Sequence, residues 1–401
     1  MDLIGWVIFL VALLFSVMLH ETGHFVTAKK FGMKATRYFV GFGPTLWSTR
    51  RGETEYGIKA LPFGGFVKII GMHSLDDVDD PADEPRSFRS HPAWQRIVVL
   101  CAGSFMHFVL AFVLIFGLAL GIGIENENTT QLGTISTCVA ANTTELNKGD
   151  KGTCAASDQA SPAKLAGLRV GDQVTAFNGA PVSNWTQLGN LIRKAPAGSQ
   201  VTITVKRDSK ILNLHATLAT VSGRSGAYLG IAPTVVFQPA NPVRAVQYAG
   251  SAFGQVLVGS AKAIGALPGA LPKLFSKDRG STAAGQVSSV VGAAEATGAA
   301  VAANVGWQYK VSFVLLLIAS LNIFVGAFNL LPLLPLDGGH LAVVIYERAR
   351  AWLARLRGRP DPGLVDMRKL IPVSVGVFAL LVGFGLLLIT ADIFNPIHLV
   401  Q

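Results

Sequence analysis

The chain has 401 residues; half of them are hydrophobic, only 14% are charged, and the mean hydropathy is +0.45. This composition excludes an ordinary soluble protein of this length and predicts a polytopic membrane protein. The formal net charge is +10, but Lys and Arg are concentrated in two connections between apolar runs, residues 29–92 and 347–369. That distribution argues for a membrane topology and against nucleic-acid binding.

Four apolar runs are long enough to cross a bilayer as helices. They cover residues 3–28, 97–124, 311–331 and 370–389. The first run lacks a basic N-terminal region and a small-residue cleavage site, which indicates a retained helix and not a signal peptide. By the positive-inside rule the two basic connections are cytoplasmic, so both termini and the long segment between the second and third runs are extracytoplasmic.

The end of the first run carries His20, Glu21 and His24 in the pattern H-E-x-x-H. Helical residues four positions apart share a face, so both imidazoles can bind one metal ion with the carboxylate beside them. Ionisable groups at membrane depth are costly and usually mark function. The pattern predicts a zinc site, in which zinc acidifies a water and polarises a carbonyl while Glu21 serves as base and then acid.

The first basic connection contains the alternating stretches ETEYGIKA and GFVKII within a segment rich in Gly and aromatic residues. Alternation bounded by Gly and Pro predicts a β-hairpin that turns near Arg51 and Gly52. Its apolar content favours a membrane-associated, re-entrant hairpin that dips toward the active site. A hairpin that rests on the cytoplasmic surface is the alternative.

The middle of the chain, residues 125–236, is predicted to form a small extracytoplasmic domain. WTQLGNLIRKA has helical spacing, and VTITVKR and ILNLHATL alternate as strands do. Cys138 and Cys154 lie in this region, where a disulfide is permitted and expected, with two separate thiols as the alternative. Cys101, in the second run, is expected to be a packed free thiol.

Residues 237–308 are predicted to form an amphipathic region at the outer membrane surface. The segment that follows Pro242 has many Gly and Ala and several polar residues. A fifth membrane span is the alternative for this segment.

A catalytic zinc site needs a third protein ligand. The stretch NLLPLLPLDGGHL, at the end of the third run, places Asp337 after two prolines and before two glycines, which favours the aspartate, with His340 as the alternative. His107, in the second run, is expected to be structural. Asn322 and Asn329 share a helix face, and either can donate an amide N–H to a developing oxyanion or bridge helices.

Three motifs, LHETGHFVTAKKFG, YGIKALPFGGFVKIIGM and NLLPLLPLDGGHL, resemble the signatures of the site-2 protease family, zinc metalloproteases that cut peptide bonds within the membrane. The resemblance spans nearly the whole chain and is nearest to the bacterial group that cleaves anti-sigma factors, in particular the actinobacterial branch. It implies that His20, His24 and Asp337 bind zinc, that Glu21 is the acid/base, and that Asn329 contacts the substrate carbonyl. It also implies that the middle domain is a PDZ-like module that can bind a peptide.

The expected fold is a polytopic α-helical membrane protein. It comprises a four-helix metalloprotease core, a membrane-associated β-hairpin and an inserted extracytoplasmic PDZ-like α+β domain. The chain is expected to divide into residues 1–124 with the H-E-x-x-H motif and the hairpin, 125–236 with the PDZ-like domain, 237–308 with the amphipathic linker, and 309–401 with the L-D-G motif.

The expected function is intramembrane proteolysis of single-pass membrane proteins such as anti-sigma factors, within stress signalling. The expected location is the inner (plasma) membrane, with the active site near the cytoplasmic side. The alternative is a non-catalytic, zinc-containing membrane scaffold or receptor that binds extracytoplasmic peptides. Glu21 discriminates between the two, because a purely structural zinc site needs no general base.

Overall fold

Long apolar helices and a β-hairpin make up one part of the computed structural model, and a small α+β domain makes up another. The described residues are 3–72, 78, 80–125, 129–139, 158–221, 226–234, 236–270, 274–275, 288–303 and 305–395. Internal contacts divide the chain into two units, Met1–Leu120 with Asn241–Val400, and Gly121–Ala240.

The described helices and strands follow one another in this order. The helices are α1 (Leu3–Lys30), α2 (Ala93–Gly121), α3 (Pro162–Leu165), α4 (Trp185–Lys194), α5 (Pro242–Ala270), α6 (Val290–Ala302), α7 (Trp307–Asn329), α8 (Asp337–Leu356) and α9 (Ile371–Phe394). The strands are β1 (Ala35–Arg51), β2 (Thr54–Ile69), β3 (Ile124–Glu125), β4 (Leu132–Ile135), β5 (Gln173–Phe177), β6 (Ala180–Pro181), β7 (Gln200–Arg207), β8 (Lys210–Thr217), β9 (Ile231–Pro233) and β10 (Phe237–Gln238). Short 3₁₀ turns cover Pro81–Arg86, Phe88–Ser90 and Met367–Leu370.

Four of the described helices are long and apolar enough to cross a membrane: α1, α2, α7, and α9 with the 3₁₀ turn that precedes it. This confirms the prediction of four membrane-length helices, and the protein is an integral membrane protein. Helices α1 and α9 end beyond their apolar runs, and α2 and α7 begin before theirs. For example, α2 begins at Ala93 and so contains Arg96 in its first turn. Helical hydrogen bonding continues through such flanking polar residues, which hydropathy alone does not include.

The predicted hairpin is present as β1 and β2, which pair antiparallel and connect between Arg51 and Thr54. Both strands curl, so residues 37–40 of β1 have partners in both halves of β2. Gly41 allows this bend: its φ is +85°, and a Cβ there would lie 2.6 Å from the carbonyl oxygen of Leu61. Such a conformation and such an approach favour glycine.

The segment after Pro242 forms α5, which packs beside two of the long helices. Ala249 is fully buried in a cluster with Ala111 and Ile115 of α2 and with Ala319 and Ile323 of α7. Among the described helices, α5 is not one of the four with the hydropathy of a membrane span. Its other face is largely exposed.

The short helix α6 packs against α1 and is held by α9. A Cβ at Gly5 of α1 would lie 2.5 Å from the Cα of Gly298, so the two backbones are in direct contact. Asp392 of α9, which is 1% exposed, accepts a hydrogen bond from the backbone N–H of Ser289 at 2.6 Å. This carboxylate therefore satisfies a free N–H group at the start of α6.

The α+β domain has a four-stranded antiparallel sheet in the order β6-β5-β7-β8. Helix α4 covers its core with Leu188 and Ile192, four residues apart, and Asn184 caps the helix by accepting from the N–H of Gln187. Both predicted strands, VTITVKR and ILNLHATL, fall in β7 and β8. Two smaller ladders, β4 with β9 and β3 with β10, complete the domain.

Two of the three cysteines lie within the described residues. Cys101 is free, as predicted. Cys138 is disulfide-bonded. Cys154, its predicted partner, lies outside the described residues, so this pairing stays a prediction.

One ion pair anchors the sheet of the α+β domain. The carboxylate of Asp172, which is 1% exposed, accepts two hydrogen bonds from Arg207 at 2.6 and 2.7 Å and one from the N–H of Arg169 at 2.8 Å. Burial by itself raises the pKa of Asp172, but these hydrogen bonds outweigh it and hold the pKa below its ordinary value of 3.8. The ionised pair therefore stabilises the folded domain.

Replacing Asp172 with Asn is expected to lower the free energy of unfolding of this domain by about 1–3 kcal/mol, because Arg207 loses a charged partner. A depressed folded-state pKa contributes stability that is present above the unfolded-state value and is lost as pH falls through the folded-state value. Amide exchange of β5 and β7 in the full-length protein, followed from about pH 6 to about pH 3, measures both effects. Asp208→Asn in the exposed β7–β8 turn is the control; equal pH dependence in native protein and Asp172→Asn would contradict the assignment.

Candidate metal centre

The two histidines of the H-E-x-x-H motif lie on one face of α1, one helical turn apart. His20 is 7% exposed and His24 is 4% exposed. Their Nε2 atoms are 3.0 Å apart. The helical spacing therefore brings two imidazole lone pairs to one point inside the protein.

The third member of the cluster comes from the first residue of α8. The Asp337 Oδ2 atom lies 3.2 Å from His20 Nε2 and 3.3 Å from His24 Nε2. The two glycines that follow, in the first turn of α8, pack against the backbone of the preceding loop: a Cβ on Gly338 would lie 2.2 Å from the carbonyl oxygen of Leu331, and a Cβ on Gly339 would lie 2.6 Å from the carbonyl carbon of Leu333. Both glycines are thus needed for the close contact between the start of α8 and this loop, which places the carboxylate.

The geometry of these three atoms fits a zinc ion. Two atoms bound to one tetrahedral zinc at about 2.0–2.1 Å are about 3.3–3.4 Å apart, close to the three separations of 3.0, 3.2 and 3.3 Å. Asp337 Oδ2 is buried and has no hydrogen-bond partner among the described residues, as expected of a metal ligand. Of the His, Cys, Asp and Glu side chains that the structure describes, His20, His24 and Asp337 form the group that can hold a metal.

Helix α2 leaves room for this cluster and orients one of its ligands. A Cβ on Gly103 would lie 2.4 Å from His24 Nε2 and 2.5 Å from His20 Cε1, so only glycine fits here. The Nδ1 atom of His24 lies 2.7 Å from the carbonyl oxygen of Val99. A proton on Nδ1 donates to that carbonyl and leaves Nε2 free to bind a metal.

A buried polar network lies one turn further into the membrane-spanning part of α1. The Ser16 hydroxyl donates to Asn322 Oδ1 at 2.5 Å, and His107 Nδ1 lies 2.8 Å from the same oxygen. These three residues are 1–4% exposed and join α1, α2 and α7. Such satisfied polar contacts hold helices together at membrane depth, so Asn322 bridges helices. His107 takes part in the same contacts, and its structural role stays a prediction.

Glu21 lies next to the cluster and is oriented by the hairpin. Its Oε2 atom accepts a hydrogen bond from the backbone N–H of Val67 in β2 at 2.9 Å. Beside it, the hydroxyls of Thr22 and Tyr38 are 2.8 Å apart, and both donate to the carbonyl oxygen of Met18. The hairpin is therefore fastened directly to the turn of α1 that carries the motif.

The remaining predicted candidates occupy different places. Asn329 is the last residue of α7 and is half-buried. His340 lies one turn after Asp337 and lines a separate cavity of about 190 Å³ with Arg96 and Glu347. Ser16 and Val67 are two residues of the site that the sequence did not predict. Ser16 precedes His20 by four residues, a spacing that could have indicated it, whereas a backbone N–H leaves no sequence signal.

A buried group of side chains that fits zinc, with a carboxylate beside it and two histidines in a membrane-length helix, defines an integral-membrane metalloprotease. The family model "Peptidase family M50" matches residues 8–359. The chain belongs to this family, the site-2 proteases, which confirms the resemblance stated above.

Curated relatives match along the whole chain. "Zinc metalloprotease Rip1" of Mycolicibacterium smegmatis is 38% identical over 99% of each chain, and "Zinc metalloprotease Rip1" of Mycobacterium tuberculosis strain H37Rv is also 38% identical over 99% of each chain. "Zinc metalloprotease RasP" of Shouchella clausii is 26% identical over 83% of this chain and 88% of its own. These matches confirm an intramembrane zinc metalloprotease of the actinobacterial branch, with Zn²⁺ as its cofactor, and not a non-catalytic receptor.

The α+β domain has a weaker match among solved structures. The PDZ domain of the SdrC-like protein from Listeria monocytogenes is 19% identical and covers 25% of this chain and 87% of its own, with a TM-score of 0.18. A TM-score this low supports no conclusion about the fold. The PDZ-like character of the domain stays a prediction.

Proposed function

We propose that this protein cleaves a peptide bond in or near the transmembrane segment of single-pass membrane proteins, with anti-sigma factors as the expected substrate class. The observation that carries the proposal is the position of the Glu21 carboxylate. It lies on the same turn as two buried imidazoles, at the end of a helix of membrane length, and accepts the N–H of Val67. A base in this place serves hydrolysis of a bond at membrane depth.

In this proposal His20, His24 and Asp337 hold zinc, which when bound supplies a Lewis acid that acidifies water and polarises the scissile carbonyl. Glu21 takes the proton of the attacking water and delivers it to the leaving amine. The Val67 N–H keeps one oxygen of Glu21 oriented, so the other oxygen is available for the proton. Asn329, at the end of α7, is proposed to contact the substrate carbonyl.

The hairpin is proposed to be membrane-associated and to bind an unwound segment of the substrate. A helical substrate hides its amides within its own hydrogen bonds, so it must become extended before attack. Exposed strands offer such a segment a backbone partner. Large apolar side chains are exposed on the hairpin, as a membrane-associated element requires: Phe42, Leu46, Trp47, Ile58 and Leu61.

We also propose that the protein lies in the plasma (inner) membrane with its active site near the cytoplasmic side. The two connections rich in Lys and Arg would then be cytoplasmic, and both termini and the α+β domain extracytoplasmic. The four segments defined from the sequence remain the proposed domain organisation, with a peptide as the proposed ligand of the PDZ-like domain.

The test is a proteomic comparison of membranes from cells that carry the native chain or Glu21→Gln. Uncut single-pass proteins are expected to accumulate in the variant, and their shortened cytoplasmic products are expected only with the native chain. Glu125→Gln, in the α+β domain, is a matched control that should behave as native. If the native and Glu21→Gln membranes contain the same set of intact and shortened proteins, single-pass substrates are excluded.

A further inference from the structure

Helix α8 has a second apolar face that none of the described residues covers. Its protein-facing side is formed by Val344, Glu347 and Ala351, all buried. Five large apolar or aromatic residues are instead 43–65% exposed: Ile345, Tyr346, Trp352, Leu353 and Leu356. At 100° per residue these five side chains span an arc of about 120° on the side away from the buried residues. Such a stripe is unfavourable in water.

Arginines border this stripe on both sides. Arg350 lies on the helix surface next to Tyr346, at one edge of the stripe. Arg348 and Arg355 lie next to Trp352, at the other edge, and both are exposed. The Arg350 guanidinium lies 5.7 Å from the ring centre of Tyr346 and is held by the carbonyl oxygen of Gly363 at 2.7 Å. Arg348 and Arg355 remain available to a ligand outside the protein.

Contacts on the buried side place the middle of α8 level with the ends of two membrane spans. Glu347 pairs with Arg96, in the first turn of α2, at 3.0 Å. The same carboxylate accepts the N–H of Val365 at 2.8 Å, two residues before the span Met367–Phe394 begins. The middle of α8 therefore lies at the level where two of the membrane-length helices begin, which is where the boundary of the bilayer is expected.

The charge of this boundary is strongly positive. Residues 347–369 contain seven Arg and Lys against three acidic residues, and one of the three, Glu347, is already neutralised by Arg96. A helix with a Trp- and Leu-rich face, arginines at its edges and little negative charge is suited to the interface of a membrane that contains anionic lipids.

We propose that residues 345–356 of α8 form a binding surface for anionic phospholipid. The apolar stripe enters the boundary between headgroups and acyl chains, and Arg348 and Arg355 bind lipid phosphate groups. The same helix begins at Asp337, so the lipid-bound surface and the third zinc ligand belong to one rigid element. This inference does not depend on the proposed substrate, because it concerns only how the chain meets the bilayer.

The test uses the full-length, zinc-loaded protein in phosphatidylcholine nanodiscs. Two preparations contain the same mole fraction of a lipid brominated on its acyl chain. In one preparation this lipid is phosphatidylglycerol, and in the other it is phosphatidylcholine. The bromine atoms quench the fluorescence of nearby tryptophan. The signal of Trp352 is the difference between the native chain and Trp352→Phe. Brominated phosphatidylglycerol is expected to quench Trp352 at least about twofold more than brominated phosphatidylcholine, since each basic residue near the surface enriches anionic lipid severalfold.

Variants of the arginines separate charge from folding. Arg348→Gln with Arg355→Gln is expected to abolish the preference, and Arg348→Lys with Arg355→Lys to keep it. Lys206→Gln with Lys210→Gln removes the same charge from the α+β domain and should leave the preference intact. Equal quenching by both lipids, or quenching no greater than in Trp352→Phe, would overturn the proposal; the second result would indicate that a protein partner covers this face.

Discussion

Replacing Glu21 with Gln is expected to slow peptide-bond hydrolysis by orders of magnitude while zinc remains bound. Glutamine keeps the size of the side chain and can still accept the N–H of Val67, but it cannot take a proton from water. Loss of a general acid/base lowers the rate by about 10²- to 10⁴-fold. The measurement is single-turnover cleavage of a reconstituted transmembrane substrate, together with the zinc content of the same preparation.

Glu125→Gln, in β3 of the α+β domain, is the matched control for this result, because it makes the same chemical change outside both the metal centre and the hairpin. Its cleavage rate and zinc content should match those of the native chain. Cleavage at a native rate by zinc-loaded Glu21→Gln would remove Glu21 from the mechanism. Loss of zinc in that variant would instead assign Glu21 to metal binding.

Replacing Asp337 with Ala is expected to release zinc and to abolish activity. The carboxylate oxygen lies 3.2 and 3.3 Å from the two histidine Nε2 atoms, so its removal leaves two protein ligands where a catalytic zinc site uses three. The fall in zinc affinity should exceed the roughly 10- to 100-fold that follows loss of a group that only orients a ligand. Metal analysis after dialysis against a graded chelator measures the change.

His340→Ala provides the comparison, because His340 is the alternative ligand that the sequence left open. It lies on the same helix, one turn away, and lines the cavity near Arg96 and Glu347 instead of the metal centre. Zinc content should be native in His340→Ala. Native zinc affinity in Asp337→Ala, with loss in His340→Ala, would reverse the assignment of the third ligand.

Much of the metal centre could be predicted from the sequence because its signals are local. The spacing of His20 and His24 follows from helix geometry, and the prolines and glycines around Asp337 mark a turn wherever they occur. Both features depend on a few consecutive residues. The four membrane-length helices and the hairpin were predictable for the same reason, because each is indicated by one continuous stretch of sequence.

Other features had no local signal. The partner of His24 Nδ1 is the carbonyl oxygen of Val99, and the partner of Glu21 is the N–H of Val67. Every residue carries such backbone groups, so no side-chain pattern distinguishes these two. The network of Ser16, His107 and Asn322 likewise joins three helices that are far apart along the chain.

The sequence by itself determined the class of this protein, its membrane-length helices and the side chains that are candidates for zinc, since these depend on hydropathy, helical period and turn residues. Only the tertiary structure decided which candidates meet: Asp337 joins the two histidines, while His340 faces another cavity. It also decided which face of α8 is buried, because burial depends on what packs against an element. Residue types along one helix do not specify the neighbour that covers them.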